Sequence, residues 1–185
     1  TPILNRTYFL IKEFLNEFIE SIDKDFKKFY DRSYDYHDNI TKFSAYYLRL
    51  LNFSDLSETK KTRMFGLLEM IDKITDKVRH TCERVNEMKK STKKIKKYLE
   101  EIFSIFLEQF NLILKKNQSI EYIDDLVKRR YKIVNRINKE KFNDEELRVI
   151  SECKIFLDTI NEFSETNVAL NIDKYMQGAY EINNL

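Results

Sequence analysis

Two glycines and one proline in 185 residues leave this chain few ways to turn its backbone sharply. A sheet protein uses such residues at nearly every hairpin, because tight β-turns need the positive φ of glycine or the fixed φ of proline. Their scarcity predicts helices joined by polar, side-chain-capped breaks. The apolar pattern agrees. Phe9, Leu10, Phe14, Phe18 and Ile22 recur at three- and four-residue spacing, and Ile102, Ile105, Phe106, Phe110 and Ile113 repeat it. The expected fold class is all-α.

Polar clusters at residues 31–33, 52–57, 90–92, 117–119 and 138–143 divide the pattern into six helices, expected at 3–29, 34–51, 57–90, 92–116, 119–137 and 144–182. Asn143 with Glu146 has the form of a capping box and defines the start of the last helix. At roughly 1.5 Å per residue the third and sixth helices run about 50 to 60 Å, long enough to be walls for the shorter ones.

The two halves are alike in pattern. Placing Asp38 on Asp124 also places Leu56 on Phe142, both 86 positions on, without a gap. A duplicated three-helix unit follows, with one bundle at residues 1–91 and a second at 92–185. A single unit of that kind leaves an apolar flank that its copy covers.

Charge and cysteine content narrow the function classes. Thirty-three Lys and Arg against 31 Asp and Glu give a formal net charge of +2, so no nucleic-acid partner is expected. Cys82 and Cys153 form no CxxC pair, so neither a disulfide framework nor a zinc site is expected, and the cytosol fits. No run approaches the roughly 18 uncharged apolar residues of a membrane span. The opening Thr1-Pro2, without an initiator Met, reads as a segment of something longer. Catalysis is not expected. There is no Glu-x-x-His for a di-iron bundle, no recognisable Cys/His arrangement and no glycine-rich turn to expose a serine.

The candidate site is a pair of carboxylate pairs. Asp72 and Asp76 are four residues apart on the third helix, hence on one face, beside Leu67, Ile71, Ile74 and Val78. The same offset of 86 carries Asp72 onto Asp158 and Asp76 onto Glu162 on the sixth helix. Like charges at that spacing repel unless a cation compensates, either Lys/Arg or a hard metal ion. Two readings stand: an acidic face paired with Lys73, Lys77 or a neighbouring helix, and a metal site. His37 and His80 lie outside ligand spacing and read as partly buried polar residues.

Ile71-Asp72-Lys73-Ile74-Thr75-Asp76 and Leu157-Asp158-Thr159-Ile160-Asn161-Glu162 resemble the carboxylate-bearing stretch on the third helix of each bundle in the PhoU family. The chain departs from that pattern in having Asp at the first acidic position, Thr75 and Asn161 in place of a small glycine, and Thr159 in place of a basic residue. Thr1-Pro2 before an amphipathic helix, and the basic passage of Lys128, Arg129, Arg130 and Arg136, resemble the PhoU-like C-terminal domain of bacterial sodium/phosphate cotransporters.

That resemblance implies two tandem three-helix bundles acting as a non-catalytic regulator of phosphate uptake at the cytoplasmic face of the plasma membrane. Its partner is the membrane transport domain of the same polypeptide or another phosphate transporter, and a homodimer is compatible with it. It also implies a divalent or ferric ion, such as iron, zinc or magnesium, held by Asp72, Asp76, Asp158 and Glu162. A stand-alone PhoU-type regulator and a generic helical-bundle interaction protein are the alternatives. The lysine-rich run at residues 89–97 is either a solvated turn or a contact with anionic lipid.

Overall fold

The computed structural model describes residues 2–90, 92–115 and 120–172. They form six helices and no strand: α1 (Pro2–Ser21), α2 (Phe26–Asn52), α3 (Glu58–Glu87), α4 (Lys93–Leu114), α5 (Ile120–Lys139) and α6 (Asp144–Leu170). Polar side chains start α2, α3, α4 and α6, as glycine-poor connections require. Ser57 accepts from the Lys60 amide, Thr92 from that of Ile95 and Asn143 from that of Glu146. The last is a full capping box, because the Glu146 carboxylate accepts in return from the Asn143 N–H at 3.0 Å.

One break is not where the polar clusters placed it. The chain turns between Ser21 and Phe26, with Asp25 capping α2, and runs helically through residues 31–33. The reason is packing. Phe29 must be buried against Phe14 and Phe18, which lie 5.9 and 5.6 Å away between ring centroids on α1, and only a turn before Phe26 folds it back onto them. The polar triplet then has other uses. Arg32 pairs with Glu17 of α1, Asp31 with Lys27, and the Ser33 hydroxyl donates to the Tyr30 carbonyl. At the other end α6 closes at Leu170, where the Asn171 N–H is bonded to the Asn167 and Val168 carbonyls. The expected continuation over residues 173–182 lies outside the described residues, as do Thr1, Ser91 and the polar break at 117–119.

Helices α1, α2 and α3 pack in sequence, α4 packs on α5 and α6, and α5 packs on α6. The sets meet through α3 against α6, the broadest contact in the fold, and through α1 against α4. Both cross-contacts are antiparallel. Arg84, near the end of α3, lies 3.8 Å from Glu152, near the start of α6, while the Lys89 N–H donates to Glu145 at 3.2 Å. On the other seam Tyr8 of early α1 meets Phe110 of late α4 at 5.5 Å, and Lys96 of early α4 pairs with Asp23 beyond the end of α1.

The core is largely aromatic. Phe18 touches Phe103 at 5.3 Å and joins α1 to α4, while Phe106 touches Phe156 and Phe163 at 5.9 and 5.4 Å and joins α4 to α6. One connected cluster of buried side chains therefore draws on all six helices, with a small satellite of Leu112, Ile123 and Leu126 beside it. No described helix is long and apolar enough to cross a membrane.

Two carboxylates fasten the second set of helices. Glu146 is buried, accepts from the Thr92 hydroxyl at 2.8 Å and lies 3.4 Å from the Lys94 ammonium, so it ties the start of α6 to the start of α4. Glu108 on α4 receives both guanidinium nitrogens of Arg129 at 2.7 and 2.9 Å and the Tyr122 hydroxyl at 2.7 Å, both from α5. Burial pushes the Glu146 carboxyl up, but the Asn143 N–H, the Thr92 hydroxyl and Lys94 together outweigh it and leave its pKa lowered. For Glu108 the Arg129 hydrogen bonds are the main cause of a lowered pKa, with burial opposing them and Tyr122 and Ser104 adding to them.

Phe106→Ala is expected to cost about 3 to 5 kcal/mol, read as a lower urea midpoint. Because one core joins the helices, helix content and aromatic signals should still be lost in a single transition. Since both carboxyls have lower pKa values folded than unfolded, their stabilisation is complete above about pH 4.5 and is lost as pH falls through the folded values. Urea melts should therefore lose stability with acidification below about pH 4.5. Glu146→Gln should flatten that dependence while costing about 1 to 3 kcal/mol at neutral pH.

Candidate functional site

On α3 the residues Leu67, Leu68, Ile71, Ile74 and Val78 are buried, and this stripe fixes the rotation of the helix about its axis. Asp72 and Asp76 are thereby set on the flank that meets α2. The Thr41 hydroxyl donates to Asp72 Oδ1 at 2.9 Å, and His37 Nε2 lies 3.0 Å from Asp76 Oδ1. Arg79 Nε lies 3.7 Å from Asp76, and its guanidinium carbon sits 5.5 Å from the centroid of the Tyr34 ring on α2. The second imidazole nitrogen, His37 Nδ1, is 3.4 Å from Asp38. A neutral imidazole can donate to only one of the two flanking carboxylates, whereas the imidazolium can donate to both.

The corresponding pair on α6 is built differently. Cys153, Phe156, Leu157, Ile160 and Phe163 are buried, and Asp158 and Glu162 face solvent. Asp158 has 77% of its side chain exposed and lies 3.6 Å from Arg130 NH1 of α5. Arg130 itself is buried, its guanidinium carbon is 4.5 Å from the Tyr131 ring centroid, and its Nε has no hydrogen-bond partner among the described residues. Glu162 makes no ion pair among the described residues.

The four carboxylates thus have partners on neighbouring helices, or none, instead of Lys73 and Lys77. Among the described residues no three His, Cys, Asp or Glu side chains come together as a group able to hold a metal ion. A hard cation seeks several oxygen ligands, at least six for calcium or magnesium once waters are counted. Here Asp72, Asp76 and Asp158 are engaged by a hydroxyl, a histidine and two guanidiniums, and Glu162 is not joined to them in any group of three among the described residues, so the donor set does not fit the implied metal. His37 is the participant that spacing alone overlooked. A usable signal was present, because His37 and Thr41 are four apart on α2, the same spacing as Asp72 and Asp76 on the helix that follows it in a hairpin.

The two thiols lie away from these clusters, on the buried faces of α3 and α6. Burial pushes Cys82 up, and burial with nearby Glu152 pushes Cys153 up to about 12. Both are therefore protonated near neutrality, when the thiolate is the nucleophilic form. Of the lysine-rich run, Lys94 and Lys96 are already used within the fold, Lys94 on Glu146 and the Lys141 carbonyl and Lys96 on Asp23. No family model, curated protein or solved structure matches the chain.

The His37–Asp76 contact is partly exposed, so a double-mutant cycle of His37→Ala and Asp76→Ala should return a coupling of less than about 1 kcal/mol. Titration with magnesium, zinc or ferric iron is expected to give no saturable binding that Asp76→Asn or Asp158→Asn removes. Stoichiometric binding lost in either variant would restore the metal reading.

Proposed function

We propose that the chain is a non-catalytic regulatory module of phosphate uptake, built as two tandem three-helix bundles of PhoU-like kind and docking on a phosphate transport domain at the cytoplasmic face of the membrane. The observation that carries the reading is the pairing of equivalent helices. The third helix of one set lies antiparallel against the third of the other, and the first against the first. A duplicated unit related by a two-fold axis makes like helices meet in this way. Three of the four carboxylates lie beside the second helix of their own set, Asp72 and Asp76 beside α2 and Asp158 beside α5.

In this function the module acts by docking. If it binds one conformation of the transport domain more tightly than another, it shifts their populations by that difference in affinity. The carboxylate clusters serve as polar clamps that hold α2 on α3 and α5 on α6, and no metal step is assigned to them. The lack, among the described residues, of a metal-holding group favours a second reading, a helical-bundle interaction protein with no phosphate role. Removing the coding sequence for residues 1–185 from its gene and measuring uptake of labelled phosphate against external phosphate separates the two. The proposal expects altered uptake or altered repression by phosphate, and unchanged uptake with unchanged control would reject it.

A further inference from the structure

The turn between α2 and α3 carries a feature that the fold does not use. Phe53 caps α2 through its backbone, its N–H donating to the Leu50 carbonyl at 3.2 Å, while 89% of the residue is exposed. Leu50 and Leu56, three residues to either side, are exposed as well, as are Tyr46 further back on α2 and Phe65 further along α3. A shallow recess lined by Leu48, Leu51 and Phe65 continues the apolar surface between the two helices. Water-exposed rings in such a group mark a contact surface.

The charge around this tip is one-sided. Lys42 and Arg49 on α2 and Lys60 at the start of α3 are exposed, against an exposed Asp55 in the turn. Glu58 is paired with Lys61 at 3.2 Å. We propose that the α2–α3 tip is a lipid-binding element, which seats Phe53 and its leucine neighbours at the acyl boundary of an anionic membrane while the flanking Lys and Arg side chains meet the headgroups.

Charge complementarity selects this occupant. A second copy joined through the same patch about a two-fold axis would set these cations against each other. An anionic leaflet offers them counter-charges over its whole surface and accepts a projecting ring without a preformed pocket. The tip also lies at the same end of the molecule as the start of α1, since α1, α2 and α3 alternate in direction. The lysine-rich run at the start of α4 lies at the opposite end. The inference does not depend on the phosphate reading, because binding to lipid is measured on the purified chain alone.

The chain contains no tryptophan, so Phe53→Trp supplies a single reporter. Its emission should shift to the blue on vesicles of phosphatidylcholine mixed with phosphatidylserine and stay unshifted on phosphatidylcholine alone. In co-sedimentation with the mixed vesicles, Phe53→Ser should weaken binding by about tenfold or more. Arg49→Glu with Lys60→Glu should weaken it further, as should added salt. Each variant should keep the urea midpoint of the native chain, since the replaced side chains are exposed. Three results would overturn the proposal: no binding of the native chain to mixed vesicles, equal binding by Phe53→Ser, or loss of binding in Lys93→Ala with Lys97→Ala but not at the tip. A dimer in light scattering that Phe53→Ser dissolves, without lipid binding, would assign the patch to a second copy and would also overturn it.

Discussion

The contact between α3 and α6 is the constraint on which the rest of the structure depends. Each of these helices is buried along a broad stripe, from Leu67 to Val85 and from Val149 to Phe163, and the two stripes are covered largely by each other. Once the two lie antiparallel, α4 with its line of phenylalanines is held between α1 and α6, and α2 and α5 are left on the outside. The outer helices accordingly show a sharper division between apolar and polar faces than α3 and α6 do.

The same geometry decides what the carboxylates can do. Rotation of α3 is set by Ile71, Ile74 and Val78, and rotation of α6 by Leu157, Ile160 and Phe163. The acidic residues between those positions must therefore face an outer helix or solvent. On the α2 side they meet a hydroxyl and an imidazole, and on the α5 side a buried guanidinium. Neither arrangement gathers the carboxylates into one group, and each is left with a local partner or with water.

Much of this was legible in the sequence. The helical class, the six elements and the capping box at Asn143 follow from residue spacing and cap chemistry alone. The first break was not, because the polar residues at 31–33 resemble a turn and only the three-dimensional need to bury Phe29 moves the turn to Asp25. The candidate site was legible by half. Asp72 and Asp76 declare themselves by spacing, but their partners sit on another helix, and which of its side chains meet them depends on which faces of α2 and α3 pack together. Arg130 was hidden in a basic run, where nothing distinguishes it from Arg129 until burial is known.

The Thr92–Glu146 hydrogen bond has a consequence for how the chain can vary. Thr92 begins α4 and Glu146 belongs to the cap that begins α6, so the bond sets two helices on a common starting line. All the chain spun out along α4 must then be retraced by its return, and the intervening length acts as a ruler. Inserting a turn into α4 alone would leave the return leg short of the mark. Natural length variation in this half should come as matched additions to both legs.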